Sequence, residues 1–209
     1  IRFHQSLHPT RAIFFVDDEF NTNIDWAKEV CGRLASERIG LPWATSMRTT
    51  EKLFDEGLLS VAKKVNCRAV AMGLESGNDE VLKSIKKGTT VEFNLRALRL
   101  LKQHRIMAHG NFILGLAWYG PDGKPDGERL EQAMDTLNFI RDVTRKGLLS
   151  SVSISIATPY PGSELGKLVD EFNMNYLEDT SHLGVDAVNR QLIVFRHPRL
   201  SPEQIQECY

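Results

Sequence analysis

Short apolar runs alternate with longer amphipathic stretches along the chain. The apolar runs are rich in β-branched and aromatic residues, which is typical of strands. The amphipathic stretches carry apolar residues at helical spacing and therefore predict helices between the strands. The predicted strands are 11–16, 42–47, 68–74, 106–116 and 151–157, and the predicted helices are 23–37, 51–62 after a Thr50 cap, 79–85, 91–104 and 128–146.

This alternation indicates a parallel sheet with helices outside it, and strands that are apolar on both faces agree with such burial. A complete eight-unit barrel needs about 250 residues, whereas this chain has 209. We expect an α/β fold, a curved partial barrel of about five βα units, because all the crossovers can wind in one direction. A flavodoxin-like or Rossmann sheet is the alternative, and the absence of GxGxxG and GxxxxGK(S/T) loops weakens it.

Residues 1–172 are expected to form this barrel, and residues 173–209 an irregular C-terminal extension. Within the extension, 192–195 is a weaker strand candidate, and the terminal SPEQIQECY is typical of the first turns of a helix. The chain opens at Ile1 rather than at Met and closes within this helical pattern, so we expect it to be a piece of a longer protein.

The composition narrows the class of protein. A net charge of −1 gives no electrostatic reason to expect nucleic acid or an acidic membrane surface as a partner. The longest apolar runs are far shorter than the roughly 18–20 residues of a membrane span, and no signal-peptide pattern opens the chain. Three widely separated cysteines suit a reducing compartment. We therefore expect a cytoplasmic protein without a membrane span, and its near-neutral charge is consistent with a small-molecule ligand.

Residues able to bind a ligand follow the predicted strands. Because ligands of parallel α/β folds bind at the carboxyl ends of the strands, we expect these residues to meet at one rim. Adjacent carboxylates can accept hydrogen bonds from an ammonium group or ribose hydroxyls, or ligate a metal, and a glycine lets a ligand approach the backbone closely. The candidates are Asp17 and Asp18 after the first strand, Arg48 after the second, Glu75 and Ser76 after the third, Gly115 at the fourth, and Tyr160 and Pro161 after the fifth.

Each acidic candidate also has a structural interpretation. Asp18 can cap the next helix while Asp17 is solvated. Glu75 and Ser76 can belong to a turn that ends the strand. A metal-dependent lyase or hydrolase built on Asp17, Asp18 and Glu75 remains an alternative function, although the sequence contains no HExxH or other metal-type histidine or cysteine spacing.

The other candidates have structural interpretations as well. Arg48 can form a salt bridge with a nearby acid such as Asp17 or Glu75. Gly115 can mark a bulge or a bend in a strand. Tyr160 and Pro161 can belong to a tight connection between a strand and a helix.

Six segments in order resemble the radical S-adenosylmethionine (SAM) superfamily, and in particular the branch whose members often carry a cobalamin-binding domain upstream. They are VDDEF (16–20), WATSMR (43–48), GLESG (73–77), KKGTTVE (86–92), GNFILGL (110–116) and TPYPGSEL (158–165). No single motif is specific, and the resemblance rests on their order and spacing over residues 11–168. It implies a partial (βα)6 barrel.

The resemblance also implies cofactors. In this family a CxxxCxxC loop after the first strand holds a [4Fe–4S] cluster that chelates SAM, and reductive cleavage yields a 5′-deoxyadenosyl radical. An electron donor for the cluster and, through the branch, cobalamin on an upstream domain are implied as partners. Asp17 and Asp18 match the contact to the methionine amino group, and Glu75, with Ser76, matches the contact to the ribose hydroxyls. Arg48 matches a position facing the SAM carboxylate or the substrate.

Four further residues complete the implied SAM site. The backbone around Leu114 and Gly115, together with Tyr160 and Pro161, would border the adenine. All of these are binding roles, and the chemistry belongs to the cluster and to SAM.

The sequence departs from the family at the cluster. It contains no CxxxCxxC, and the spacing of Cys31, Cys67 and Cys208 does not replace it. We expect the first strand and the cluster loop to lie upstream of Ile1. A non-catalytic barrel that has lost its cluster is the remaining alternative.

This departure predicts that the 209 residues alone, treated anaerobically with iron and sulfide, will not assemble a [4Fe–4S] cluster, because the thiolate ligands are missing. Visible absorbance spectroscopy checks the outcome. Cluster absorbance that disappears when the three cysteines are changed to alanine would contradict the prediction.

Overall fold

The computed structural model describes residues 1–175 and 193–209. Its helices are α1 (Arg2–Leu7), α2 (Ile24–Ser36), α3 (Glu56–Lys64), α4 (Asp79–Ser84), α5 (Val91–Gln103), α6 (Leu130–Arg145), α7 (Glu164–Glu171) and α8 (Pro202–Cys208). Its strands are β1 (Ile13–Phe15), β2 (Trp43–Ser46), β3 (Cys67–Glu75), β4 (Met107–Leu114), β5 (Ala117–Tyr119), β6 (Pro125–Gly127) and β7 (Ser151–Ile156).

The main sheet has five strands in the order β1-β2-β3-β4-β7. β1 pairs with β2 and β2 pairs with β3 in parallel register. The spatial order of the strands therefore follows their order in the chain, with no point at which the winding reverses. Rossmann and flavodoxin-like sheets contain such a reversal, so the strand order confirms the winding expected of a βα barrel and excludes the alternative.

The chain divides into two compact units. The first contains residues 1–73, 92–110 and 143–151, and the second contains residues 74–91, 111–142 and 152–209. The expected boundary after residue 172 remains a prediction, and part of the expected extension, 176–192, lies outside the described residues.

Aromatic rings form the core of the first unit around β1 and β2. The ring centroid of Trp43 lies 5.3 Å from that of Phe15 and 5.5 Å from that of Phe20. The indole N–H of Trp43 donates to the carbonyl of Val65 at 2.7 Å, so this buried side chain is also satisfied as a donor.

The core of the second unit joins helices to the C-terminal segment. Val81 of α4 and Leu168 and Val169 of α7 pack in one cluster with Val194 and Phe195. The weaker strand candidate at 192–195 is reduced, within the described residues, to an isolated antiparallel bridge between Asn175 and Phe195. The terminal helix expected from SPEQIQECY is confirmed as α8, which begins with a capping box at Ser201.

Two local predictions were wrong. The predicted Thr50 cap of α3 is wrong, because α3 begins at Glu56 and is capped by Asp55. Thr50 lies in a preceding turn, where its carbonyl accepts the N–H groups of Leu53 and Phe54. The Pro/Gly-rich composition of residues 118–127 predicts a loop after the fourth strand, but the structure contains the antiparallel pair β5–β6 there. The N–H of Gly120 donates to the carbonyl of Lys124 at 2.7 Å and closes this hairpin. Within the described residues, no helix is both long and apolar enough to cross a membrane.

The Asp55 cap predicts a pH-dependent contribution to stability. Its carboxylate accepts the N–H of Leu58 at 2.6 Å and pairs with Lys28 at 2.8 Å, and the Lys28 hydrogen bond lowers the pKa of Asp55. Because the pKa is lower in the folded state, this contribution is present above the unfolded pKa of about 4 and is lost as pH falls through the folded value.

We expect Asp55→Ala to lower the free energy of unfolding at neutral pH by about 1 kcal/mol, the usual value of a cap, with a smaller difference below about pH 4. Asp55→Asn is the matched control, because asparagine keeps the cap and removes the titrating charge. Denaturant unfolding at several pH values measures both. An Asp55→Ala deficit that grows on acidification would contradict the assignment.

Candidate functional site

The sequence-predicted site residues fall in both compact units. Asp17, Asp18 and Arg48 belong to the first unit. The second unit contains the others, which are Glu75, Ser76, Leu114, Gly115, Tyr160 and Pro161. Each group lies at or just after the carboxyl end of a strand of the main sheet.

Asp17 and Asp18 follow β1 with exposed side chains. The structural interpretation of Asp18 as a helix cap is wrong, because Asn23 caps α2 by accepting the N–H of Trp26 at 3.0 Å. The two carboxylates are therefore not used to begin α2. They stay candidates for binding a ligand cation or hydroxyl.

Arg48 forms a salt bridge with Glu19 at 3.2 Å, and both side chains are about one-third exposed. The salt-bridge interpretation of Arg48 thus holds, although the partner is neither Asp17 nor Glu75. Glu19 lies in the same DDE segment after β1, so the pair links the residues that follow β1 and β2.

Asn21 was missed by sequence reasoning and is fully buried in the first unit. Its amide nitrogen donates to the carbonyls of Arg48 at 2.9 Å and Leu53 at 2.7 Å, and its amide oxygen accepts the N–H of Arg48 at 2.8 Å. Asn21 therefore fixes the backbone at Arg48 and the loop after β2. Its partners are 27 and 32 residues away, so no local pattern could have identified it.

Glu75 ends β3 in a left-handed backbone conformation, with φ of 62°. Such a conformation is unfavourable by about 1–2 kcal/mol for a residue with a Cβ. The Glu75 carboxylate is 15% exposed and pairs with the Lys87 ammonium at 2.7 Å. Lys87 lies in the KKGTTVE segment, which is one of the six segments that resemble the family. The resemblance did not predict the ion pair between Lys87 and Glu75.

The loop after Glu75 is bound to α6. Ser76 is fully buried, and its hydroxyl lies 2.9 Å from that of Thr136. The Thr136 hydroxyl also accepts the N–H of Gly77 at 3.0 Å, and the Asn78 amide donates to Asp135 at 2.8 Å. These contacts correspond to the structural interpretation of Ser76, and any contact between Ser76 and a cofactor stays a prediction.

Leu114 and Gly115 end β4 beside a buried carboxyl group. Gly115 has φ of 71°, and its N–H donates to Oε2 of Glu128 at 2.7 Å. Glu128 is 0% exposed, and burial raises its pKa to about 7. Sequence reasoning missed Glu128, because it follows the Pro/Gly-rich segment and belongs to no motif.

Tyr160 and Pro161 form the turn that leads into α7. The carbonyl of Tyr160 accepts the N–H of Ser163 at 3.0 Å and its hydroxyl at 2.7 Å. The Ser163 hydroxyl also accepts the N–H of Gly166 at 2.9 Å and so caps α7. This geometry corresponds to the tight connection, while the Tyr160 side chain is 46% exposed.

The described residues provide no metal centre. No group of three or more His, Cys, Asp or Glu side chains in residues 1–175 and 193–209 is arranged to hold a metal ion. Cys31 and Cys67 are buried, and burial raises their pKa values to about 11 and about 12. A [4Fe–4S] cluster needs several thiolates in one place, and these two buried thiols belong to no such group among the described residues.

Comparison with known proteins identifies the family. The sequence profile of the Radical SAM superfamily matches residues 2–122, more than half of the chain. The chain belongs to this superfamily. An uncharacterized methyltransferase of Pyrococcus horikoshii is 30% identical over 155 residues, 74% of this chain and 30% of that protein. An anaerobic magnesium-protoporphyrin IX monomethyl ester cyclase of Rubrivivax gelatinosus is 30% identical over 167 residues, 78% of this chain and 28% of the cyclase.

Solved structures agree on the fold. The radical SAM methyltransferase TsrM from Kitasatospora setae, with cobalamin and a [4Fe-4S] cluster bound, superposes with a TM-score of 0.63 at 19% identity, covering 78% of this chain and 29% of TsrM. The cobalamin-dependent enzyme OxsB, with SAM bound, gives a TM-score of 0.57 at 19% identity over 82% of this chain and 24% of OxsB. This radical SAM chain therefore spans less than a third of the proteins described here.

The contact between the Ser76–Asn78 loop and α6 predicts that Gly77 tolerates no side chain. A Cβ at residue 77 would lie 2.6 Å from Cβ of Phe139 and 2.8 Å from the carbonyl oxygen of Asp135. The backbone of α6 can move away from this Cβ only at a cost in free energy. We therefore expect Gly77→Ala to lower the free energy of unfolding by about 1–3 kcal/mol.

Gly32 offers the matched control, because a Cβ there meets nothing within 4 Å and the residue lies inside α2. Gly32→Ala should leave stability unchanged or raise it by up to about 1 kcal/mol. Denaturant midpoints measure both variants. A Gly77→Ala protein as stable as the wild type would show that the loop does not pack against α6 as described.

Proposed function

We propose that the protein containing this chain is a radical SAM enzyme, to which these residues contribute SAM-binding groups. The whole protein cleaves SAM to a 5′-deoxyadenosyl radical or uses SAM for methyl transfer to a small-molecule substrate. Membership of the superfamily over residues 2–122 supports the SAM chemistry. Methyl transfer is supported by relatives such as a cytidylyl-2-hydroxyethylphosphonate methyltransferase of Streptomyces wedmorensis, which is 31% identical over 150 residues.

The geometry of Glu75 carries this proposal. Glu75 lies at the end of a parallel strand in a left-handed backbone conformation, and its carboxylate pairs with Lys87. Residues in such strained conformations cluster at ligand-binding and active sites, so this geometry favours a binding role for Glu75. A single carboxylate can accept two hydrogen bonds from a ribose diol. Glu75 thus has the chemistry that the ribose hydroxyls of SAM require.

The remaining contacts follow the family motifs. Asp17 and Asp18 bind the methionine amino group, as charge-assisted acceptors. Arg48 faces the SAM carboxylate or the substrate, and its backbone is fixed by Asn21. The backbone at Leu114 and Gly115, and the Tyr160–Pro161 turn, border the adenine.

In this proposal the cluster ligands come from another part of the protein, because these 209 residues contain no CxxxCxxC and no group in the described part of the chain is arranged to hold a metal ion. When bound, a [4Fe–4S] cluster supplies the electron that cleaves SAM, and the protein then needs an external electron donor. Cobalamin, held by an upstream domain, is the further cofactor, since TsrM and OxsB both contain it. We place the enzyme in the cytoplasm on its cysteine usage.

A metal-dependent lyase or hydrolase built on Asp17, Asp18 and Glu75 is not supported, because no such cluster occurs in the described part of the chain. Product analysis of the anaerobically purified full-length protein tests the proposal. Release of 5′-deoxyadenosine indicates radical formation, and S-adenosylhomocysteine indicates methyl transfer. A protein that neither binds nor consumes SAM would be the non-catalytic alternative.

The role of Glu75 predicts that Glu75→Ala in the full-length protein weakens SAM binding by about tenfold or more, because two hydrogen bonds to the ribose are lost. Calorimetry under anaerobic conditions measures the affinity. Glu164→Ala is the matched control, since Glu164 also pairs with a lysine of the KKGTTVE segment but is largely exposed. Equal SAM affinity in Glu75→Ala and wild type would remove Glu75 from the site.

A further inference from the structure

The His197 side chain joins the C-terminal segment to the residues that follow β4. Nε2 of its imidazole lies 3.0 Å from the carbonyl oxygen of Leu116. Nδ1 is on the other side of the ring, where the backbone N–H groups of Arg199 and Leu200 donate to it at 3.1 Å and 2.9 Å. One side chain therefore links β4 to the residues that lead into α8.

These contacts define the protonation state of the ring. Since two N–H groups donate to Nδ1, this atom presents a lone pair and carries no proton. The single ring proton then lies on Nε2, which donates to the carbonyl of Leu116. A second proton would have to bind at Nδ1, and it would leave the N–H groups of Arg199 and Leu200 without this acceptor. The arrangement therefore requires a neutral imidazole.

The surroundings of the ring also favour the neutral form. A Cβ at residue 127 would lie 2.7 Å from Cε1 and Nε2 of His197, so the ring packs against the bare backbone of Gly127 at the end of β6. The ring centroid of Phe195 lies 6.0 Å from that of His197. Burial in these contacts lowers the pKa of His197 below its usual value.

The charges nearest to the ring largely compensate each other. Asp126 of β6 favours the protonated form of His197. Its carboxylate is paired with the guanidinium of Arg199 at 2.7 Å, and this hydrogen bond lowers the pKa of Asp126. Asp126 and Arg199 therefore keep their opposite charges over the range in which histidine titrates.

The other titratable groups of this region do not add a charge under mildly acidic conditions. Burial raises the pKa of Glu128, the residue after β6, to about 7, so its carboxyl group is neutral there. Burial also raises the pKa of the Cys208 thiol on α8. The two glutamates of α8, Glu203 and Glu207, are exposed to solvent. His197 is thus the group whose charge changes as the pH falls from neutral to mildly acidic.

Apolar packing holds the two parts of the C-terminal segment unequally. Val194 and Phe195, before His197, are buried in the large cluster of the second unit. After His197 the buried side chains are Leu200 and Ile205, which belong to a small cluster with Ile156. The contacts of the His197 ring therefore matter most for residues 198–209.

We propose that His197 is a pH-sensitive latch for the C-terminal segment. The neutral ring holds residues 198–209 on the β5–β6 hairpin and the turn after β4. Uptake of a proton from water at Nδ1 displaces the N–H groups of Arg199 and Leu200 and releases these residues, while the main sheet stays folded. Because the folded ring is harder to protonate than a free one, the latch is closed above the free-histidine pKa of about 6.5 and opens as pH falls below it.

Hydrogen–deuterium exchange of the full-length protein tests the latch at about pH 7.5 and about pH 5, on either side of the range in which histidine titrates. Rates are corrected for the intrinsic effect of pH on exchange. His197→Asn offers a side-chain oxygen near the position of Nδ1 and cannot be protonated. His8→Asn is the matched control, because it removes an exposed histidine.

We expect the protection of peptides covering 198–209 to fall about tenfold or more at the lower pH in wild type and His8→Asn, because two N–H groups lose their acceptor. Peptides covering β3 should keep their protection. His197→Asn should protect 198–209 equally at both pH values. An NMR titration of labelled histidine in the wild type should show a neutral ring with the proton on Nε2 and a pKa below about 6.5.

Four results would overturn the inference. They are equal protection of 198–209 at both pH values in the wild type, an acid-induced loss in His197→Asn as large as in the wild type, an equally large loss in β3, which would mean general acid unfolding, and a His197 pKa at or above about 6.5. If His197→Asn does not fold, the wild-type exchange and the NMR titration decide the matter. None of these measurements depends on SAM binding.

Discussion

Parallel strand pairing in chain order is the constraint on which the rest of this structure depends. Each pairing fixes the direction of a strand, and the carboxyl ends of β1, β2, β3 and β7 each lead through a loop into a helix. The loops therefore begin where polar residues can project from the sheet, as Glu75 does at the end of β3. A sheet whose winding reversed would separate these loops into two sets, as in dinucleotide-binding folds.

Buried polar side chains hold the loops in place. Asn21 holds the loop after β2, Thr136 holds the loop after β3, and Glu128 holds the turn after β4. All three are fully buried. Because an unsatisfied buried polar group is costly, each of these side chains favours a particular backbone path. Among the candidate ligand-binding residues, Asp17, Asp18 and Tyr160 are exposed, whereas the side chains that hold the loops are buried.

The family assignment and the geometry contribute different parts of the functional argument. Superfamily membership points to SAM as the cofactor. The structure shows which candidate side chains already form hydrogen bonds within the protein. Ser76 is engaged by Thr136, whereas Asp17 and Asp18 remain exposed and are not used to cap α2. Cys31 and Cys67 are buried and Cys208 is partly exposed, and no group of three or more His, Cys, Asp or Glu side chains in the described part of the chain is arranged to hold a metal ion.

The sequence by itself determined the alternation of strands and helices, because short apolar runs and apolar residues at helical spacing are local properties of the chain. It also determined which polar residues follow each strand, as with Asp17, Arg48 and Glu75. The exact start of α3 and the β5–β6 hairpin were not predicted. Asp55 rather than Thr50 caps α3, and backbone pairing forms a hairpin where the composition predicts a loop. Such choices between local hydrogen bonds are not visible in the sequence pattern.

Only the tertiary structure decided the residues that position the site. Asn21 reaches Leu53 across 32 residues, Ser76 reaches Thr136 across 60, and His197 reaches Leu116 across 81. Such pairs leave no periodic signal in one sequence, because their value arises only when folding removes both partners from water. The sequence therefore specified the strands and their polar ends, and the packed structure specified how those ends are held.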